Sequence, residues 1–157
     1  MIQRKQTLYL FFAGLVTLVL LFIPFGSLEI EQIRCFVYKA FAVETVSEKE
    51  VILNTVGNVA LLAATSLLSF ITIFLYSNRK LQMRLISLNM LLMLVAIFTI
   101  LYAYPNFVFP KNPNFYNATL QYDYAFLICF IPPVGLYLAK RAIARDEAMV
   151  RSADRLR

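Results

Sequence analysis

Four long apolar segments alternate with polar connections along the 157-residue chain. A helix rises 1.5 Å per residue, so crossing a hydrocarbon core about 30 Å thick takes roughly 20 apolar residues. Each segment approaches or exceeds that length, and the pattern predicts four transmembrane helices. We expect these spans at residues 7–25, 51–76, 85–104 and 122–139.

The connections differ from one another in pattern. Residues 26–50 interleave β-branched and aromatic residues with polar ones, which is typical of short half-buried strands. Residues 105–123 are rich in Pro and Asn and predict turns. The predicted fold class is therefore all-α: a single domain, residues 1–157, forming an antiparallel four-helix transmembrane bundle. A small extracytoplasmic β-element and a C-terminal cytoplasmic helical extension complete it.

The extension, residues 140–157, is called the charged tail below. It contains no helix breaker and many good helix formers, so we expect the fourth span to continue into it. One hypothesis makes it a topology anchor with a solvated helix. The other adds a function, either contact with acidic headgroups or docking on an anionic protein surface. Interspersed acids favour the protein surface. The candidate partner-binding residues are Arg141, Arg145, Glu147, Arg151, Asp154 and Arg155.

Composition supports a membrane protein, because 61% of residues are hydrophobic, 15% are charged and the mean hydropathy is +0.70. Most of the 15 Lys and Arg residues precede the first span, separate the second from the third, or follow the fourth. Positive charge near span ends stays in the cytoplasm, which predicts that both termini are cytoplasmic. The same bias accounts for the net charge of +6, so we expect no nucleic-acid partner.

Residues that carry chemistry are scarce. The chain has no His, and its two cysteines, Cys35 and Cys129, form no metal-binding motif. The middle thirds of the spans contain no charged residue, which argues against a proton pump or an ion-coupled carrier. We therefore predict no catalytic residue, no cofactor, no metal and no enzymatic activity.

A polar stripe marks the second span. Asn54, Asn58, Thr65, Ser69 and Thr72 are separated by 4, 7, 4 and 3 residues, which are compatible with one helical face. Such side chains form hydrogen bonds between packed helices, here with Asn89 of the third span as the expected partner. The alternative is a lined cavity. In the fourth span, Pro132 and Pro133 predict a kink or local unwinding.

Three segments carry a resemblance to a known family: "MIQRKQTLYL" at the start, "NRKLQMRLISLNMLL" at the middle hairpin and "RAIARDEAMVRSADRLR" at the end. The whole chain resembles a family of small bacterial four-pass membrane proteins, domain of unknown function family 4293. The resemblance implies the bacterial cytoplasmic (inner) membrane and the same topology. It implies no catalytic or ligand residues.

These observations favour a non-enzymatic accessory or scaffold protein that lies in the lipid bilayer and docks a membrane or cytoplasmic partner through the charged tail. The alternative is a small transporter or channel, oligomeric, that uses the polar stripe of the second span. A membrane-embedded enzyme ranks third, because Tyr122 and Asp123 are too few groups for catalysis.

Overall fold

The computed structural model of the protein describes residues 5–31, 33–115 and 117–155. The α-helices in this part of the chain are α1 Lys5–Leu20, α2 Val56–Phe74, α3 Arg79–Phe98, α4 Ala125–Ile128 and α5 Ile131–Arg155. A π-helical segment, Thr99–Val108, continues α3 without a break, and two 3-10 turns follow it at Phe109–Lys111 and Pro113–Phe115.

A five-stranded antiparallel sheet lies at one end of the helices. Its strands are β1 Gly26–Ile30, β2 Ile33–Tyr38, β3 Ala42–Thr45, β4 Val51–Asn54 and β5 Thr119–Tyr122. Their order across the sheet is β4-β3-β2-β1-β5. The all-α fold class is therefore wrong. The β-branched and aromatic residues of the first connection build four strands, a larger element than the small one expected.

The fifth strand comes from the other connection on the same side of the bundle. β5 pairs with β1, with Gly26 opposite Tyr122 and Leu28 opposite Leu120. We expected a turn-rich segment here, because Pro and Asn are typical of turns. The pattern gave no sign of the four-residue strand that follows them. That strand exists because the edge of β1 is close enough to complete its hydrogen bonds, which is a tertiary effect.

The helix boundaries also differ from the expected spans. The second span was expected to begin at residue 51, but Val51–Asn54 pairs with β3 and α2 begins at Val56. The Thr55 hydroxyl lies between them and donates to the Ala40 carbonyl at 2.7 Å. The first span was expected to reach residue 25, whereas α1 ends at Leu20, and Pro24 prevents its continuation into β1.

The fourth span was expected from residue 122, but Tyr122 ends β5 and the helix itself is in two parts. The four-residue α4 ends at Ile128, and α5 begins at Ile131. Pro132 and Pro133 lie in the first turn of α5, where a missing amide hydrogen removes no helical hydrogen bond. The helix is therefore interrupted at Cys129 and Phe130, directly before the two prolines, which agrees with the local unwinding expected there as the alternative to a kink.

The four long helices form a closed bundle in which α1 packs against α2 and α5, and α3 packs against the same two helices. Leu10, Ala13, Ile86, Leu136 and Ile143 form the apolar core at the end away from the sheet. A larger apolar core joins the bundle to the sheet and includes Phe25, Tyr38, Val43, Met93 and Phe109. The sheet is therefore packed onto the helices and shares their core.

Three helices are long and apolar enough to cross a membrane, judged by length and composition. They are Val56–Phe74, Arg79–Lys111 and Ala125–Val150. The first helix has a shorter apolar stretch, Gln6–Leu20. At 1.5 Å per residue, the 16 residues of α1 extend about 24 Å.

Substitution Gly26→Ala tests the pairing of β1 with β5, which joins the two connections of the chain in one sheet. A Cβ at this position would collide with the Gln121 carbonyl oxygen on β5, and backbone atoms cannot rotate aside as a side chain can. We expect the substitution to lower the free energy of unfolding by about 1–3 kcal/mol, the usual range for overpacking. Thermal unfolding of the purified protein in detergent provides the measurement.

The neighbouring residue on the same strand supplies the matched control. Ser27 is buried, and its hydroxyl has no hydrogen-bond partner among the described residues. Replacing it with Ala removes an unsatisfied polar group, so Ser27→Ala should leave stability unchanged or raise it slightly. Equal stability of the Gly26→Ala and Ser27→Ala variants would contradict the close contact between β1 and β5.

Candidate functional site

The interface between α2 and α3 contains most of the buried polar side chains of the bundle. Along both helices most buried positions repeat at alternating intervals of four and three residues, the spacing of one helical face. Ser66, also buried on α2, lies beside this face and donates to the Gly14 carbonyl of α1. The polar residues at the repeating positions are Asn58, Thr65, Ser69 and Thr72 on α2, and Gln82 and Asn89 on α3. We call these six residues the polar seam.

Direct hydrogen bonds link the two helices along the polar seam. Asn89 Nδ2 donates to Ser69 Oγ at 2.7 Å, and Ser69 in turn donates to the Thr65 carbonyl at 3.0 Å. Nearer the short α2–α3 connection, Gln82 Nε2 donates to the Thr72 carbonyl at 3.1 Å. The structure thus brings together Ser69 and Asn89, two of the residues singled out in the sequence.

These bonds determine which way the amides point. A backbone carbonyl only accepts, so Gln82 must present its nitrogen to Thr72. Ser69 uses its hydrogen on Thr65, so Asn89 must also present its nitrogen. Each amide oxygen then points elsewhere. No described residue donates to the side-chain oxygens of Asn58, Gln82 or Asn89, although all three are buried.

Tyr38 connects the polar seam to the sheet. It is the last residue of β2 and is fully buried, packed edge-on against Phe25 and Phe109 with ring centroids 5.7 and 5.1 Å away. Asn58 Nδ2 donates to the Tyr38 hydroxyl at 2.9 Å, and that hydroxyl donates to the Ile100 carbonyl at 3.4 Å. One side chain therefore joins β2, α2 and the π-helical segment.

Pro105 explains why the Ile100 carbonyl needs this donor. In a π-helix the amide of residue 105 would donate to the carbonyl of residue 100, but proline has no amide hydrogen. The Tyr122 hydroxyl, from β5, donates to the Leu101 carbonyl at 2.8 Å. The Ile100 carbonyl, which Pro105 cannot serve, and the neighbouring Leu101 carbonyl thus each accept a tyrosine hydroxyl from the sheet.

The register of the sheet places these tyrosines side by side. Gly26 on β1 lies between Tyr38 on β2 and Tyr122 on β5. Residues in one cross-strand row project to the same face, so both tyrosine side chains extend toward the helices. Gly26 has no side chain and leaves room between them.

Burial raises the pKa of Tyr38 above its ordinary value of 10.0, and the hydrogen bond from Asn58 lowers it by a smaller amount. The phenol is therefore neutral at physiological pH and acts as a hydrogen-bonding group. The polar seam contains only uncharged amides and hydroxyls, which donate and accept hydrogen bonds and so bind and orient other groups. This arrangement suits helix packing or a lined cavity.

Asn54 is separate from the polar seam. It is the last residue of β4, and its side chain is exposed on the edge strand. We expected it on the helical stripe because it precedes Asn58 by four residues, but a helical interval has no meaning in a strand. Asn58, Thr65 and Ser69 do share the buried face of α2.

The charged tail continues α5 beyond the bundle. Ile143 is buried against the other helices, whereas Arg141 and Arg145 are exposed. Glu147 is half-buried and borders a groove of about 260 Å³ that also involves Met83 of α3. The backbone of Arg151, Asp154 and Arg155 belongs to α5, and their side chains lie outside the described part of the chain.

Sequence reasoning missed three residues of this site. Gln82 precedes Asn89 by two helical turns and could have been found by extending the α3 spacing backwards. The hydrogen-bonding roles of Tyr38 and Tyr122 could not have been found from the sequence, because only the folded sheet brings their hydroxyls to the π-helical segment. Within residues 5–31, 33–115 and 117–155, no group of three or more His, Cys, Asp or Glu residues could hold a metal ion.

Comparison with known proteins identifies a family and no individual relative. A family model described as Domain of unknown function (DUF4293) matches residues 2–156. No curated protein and no solved structure matches the chain. The match covers nearly the whole sequence, so it includes the sheet, the polar seam and the charged tail together.

Substitution Tyr38→Phe should destabilise the protein by about 1–3 kcal/mol, since it leaves a buried amide donor on Asn58 and a buried carbonyl on Ile100 without partners. Tyr102→Phe is the control, because the Tyr102 side chain is 49% exposed. Thermal unfolding in detergent measures both variants. Equal stability would show that the Tyr38 hydroxyl is dispensable.

The Tyr38→Phe substitution should also change how the free energy of unfolding depends on pH. The folded protein holds the Tyr38 proton more tightly than the unfolded chain, so this stabilisation is fully present below pH 10.0 and is lost as the pH rises above it. Each pH unit above that value should remove about 1.4 kcal/mol from the wild type but not from Tyr38→Phe. Superimposable pH curves for the two proteins would contradict the buried, neutral phenol.

Proposed function

Because the chain belongs to the family described as Domain of unknown function (DUF4293), which assigns no activity, we propose a function from the geometry of the molecule. The protein is a non-enzymatic, four-pass component of the bacterial cytoplasmic membrane. It docks a protein partner on its cytoplasmic side through the charged tail. The observation that carries this proposal is that α5 continues to Arg155, well past Ile143, the last buried residue among the side chains that the structure describes.

The distribution of charge supports the membrane placement. Arg79 and Lys80 begin α3 at the end of the bundle where the tail of α5 leaves it, opposite the sheet. Positive charge therefore lies at the tail end of the bundle, and the apolar helices separate it from the sheet. Because positive charge near span ends is retained in the cytoplasm, this arrangement is typical of a protein whose tail is cytoplasmic. α1 completes a fourth pass, since it packs against α2 and α5 through its apolar stretch.

The tail offers both apolar and charged contacts. Beyond Ile143, α5 extends for about 18 Å to Arg155 at 1.5 Å per residue. Met149 and Val150 are 62% and 45% exposed in this segment, and Arg145 is exposed one turn before Met149. An exposed Met beside an arginine suits a partner surface with an apolar patch bordered by carboxylates.

A protein partner explains the tail better than headgroups do. Asp146, Glu147 and Asp154 interrupt the cations, and carboxylates are repelled by anionic lipid. A segment that carries both positive and negative side chains instead favours a protein surface whose own charges are complementary to it. The partner is another membrane or cytoplasmic protein, or a second copy of this chain.

Site-specific photo-cross-linking in native membranes tests the docking. A benzoylphenylalanine at position 149 should form one discrete protein adduct. The same group at Val134, which lies on the same helix within the apolar stretch and is 57% exposed, should react with lipid only. Adding Arg145→Glu should reduce the adduct at position 149 at least fivefold, as expected for a charge contact of about 1 kcal/mol.

Lys80→Glu provides the matched charge reversal, because Lys80 is exposed at the same end of the bundle but belongs to α3. It should leave the adduct unchanged. If Arg145→Glu and Lys80→Glu reduce the adduct equally, the tail acts through general charge, and a topology anchor replaces docking. If position 149 forms no adduct, the docking proposal fails.

The unpartnered amide oxygens favour a second candidate, a small oligomeric transporter or channel. Gln82, Asn89 and Asn58 distribute three hydrogen-bond acceptors along the polar seam from the cytoplasmic end to the sheet. Such acceptors can form part of a pathway for protons or small polar solutes, which a bundle of purely apolar side chains cannot supply.

Proton flux into vesicles that contain the purified protein tests this candidate. An imposed potential drives the flux, and an internal pH-sensitive dye reports it. Substitution Asn89→Leu should reduce a protein-dependent flux at least tenfold, whereas Asn54→Leu, on the exposed edge of the sheet, should not change it. Flux no greater than that of protein-free vesicles would exclude a proton pathway and favour a packing role for the polar seam.

A further inference from the structure

A groove of about 450 Å³ lies between the edge strand β4 and the outer end of the third long helix. Leu53 from β4 lines it together with Phe107, Val108, Lys111, Asn112 and Pro113. This volume lies within the range of small-molecule sites in proteins. The polar seam, the two tyrosines and the charged tail do not contribute to this groove.

The lining is amphipathic. Leu53, Phe107 and Val108 supply an apolar part, and Phe107 is 55% exposed. Lys111 and Asn112 supply a cation and an amide at the end of the helical segment. An occupant that satisfies both parts has an apolar body and an anionic group.

Lys111 is free to bind an anion. Among the described residues, the ion pairs of the sheet join Arg34 to Glu29 at 3.3 Å and Lys39 to Glu44 at 2.6 Å. Neither pair involves Lys111, whose side chain is exposed. A lysine without a carboxylate partner beside exposed apolar side chains is complementary to a phosphate attached to a hydrocarbon chain.

In the membrane placement proposed above, the groove lies at the height of the membrane surface. Phe107 and Lys111 fall at the outer end of the apolar helix Arg79–Lys111. Tyr102, Tyr122 and Tyr124 are exposed around the same junction of sheet and helices, and such aromatic residues mark the boundary between hydrocarbon and headgroups. The apolar part of the groove therefore faces acyl chains, and Lys111 faces headgroups.

We propose that this groove binds an anionic phospholipid. Its phosphate accepts hydrogen bonds from the Lys111 Nζ, and an acyl chain lies against Leu53, Phe107 and Val108. The inference rests on the membrane placement in the proposed function and does not involve the charged tail. Docking of a protein partner can therefore fail while the lipid site remains, and the reverse also holds.

Native mass spectrometry of the purified protein in detergent tests the site, with added phosphatidylglycerol compared with phosphatidylcholine. We expect the protein to bind phosphatidylglycerol at least fivefold more tightly. Lys111→Gln should weaken the binding of phosphatidylglycerol about fivefold and leave that of phosphatidylcholine unchanged, in keeping with the usual contribution of one basic residue at a lipid surface. Phe107→Ser should weaken the binding of both lipids.

Lys49→Gln is the matched control, because Lys49 is an exposed cation in the turn that precedes β4, away from the groove. It should leave both affinities unchanged. Equal effects of Lys111→Gln and Lys49→Gln would overturn the proposal, as would equal affinity for the two lipids. Displacement of phosphatidylglycerol by millimolar inorganic phosphate would also overturn it, since the groove would then be a site for free anions. Unchanged thermal unfolding of the variants excludes misfolding as the cause.

Discussion

One buried backbone carbonyl of the third long helix needs a hydrogen-bond donor from outside that helix, and the sheet supplies it. Pro105 leaves the Ile100 carbonyl without its π-helical donor, and the Tyr38 hydroxyl donates to it. A buried acceptor left unsatisfied costs about 1–3 kcal/mol, so this contact stabilises the junction of sheet and helices. The Tyr122 hydroxyl donates to the neighbouring Leu101 carbonyl at an exposed position, and it comes from the other connection, which pairs with the first through β1 and β5.

The polar seam extends this network into the bundle. Asn58 donates to Tyr38, and the amides of Asn89 and Gln82 repeat the arrangement farther along α2 and α3. Hydrogen bonds hold helices together where apolar packing alone gives little specificity, because lipid tails are as apolar as the side chains. Three separate groups of hydrogen bonds therefore lie along α2 and α3, from the sheet to the short connection between the two helices.

Sequence patterns predicted much of the helical part, because long apolar segments and a helical period are local properties of the chain and depend little on tertiary contacts. The polar face of α2 followed from the helical period at Asn58, Thr65 and Ser69. The strands were harder to predict. Val51–Asn54 is as apolar as the helix it precedes, so hydropathy could not separate them, and Asn54 was placed on the wrong element. Tyr38 was missed because its partner carbonyl lies 62 residues away in the chain.

The membrane placement proposed above puts the sheet and the charged tail on opposite sides of a membrane. The most direct test is labelling of single cysteines in intact cells with a membrane-impermeant maleimide. The background carries Cys35→Ser and Cys129→Ala, since both native cysteines are free. A cysteine at Val46, exposed in the sheet, should be labelled in intact cells, and one at Met149 only after the cells are opened. Labelling of both positions in intact cells, or of Met149 alone, would contradict the account.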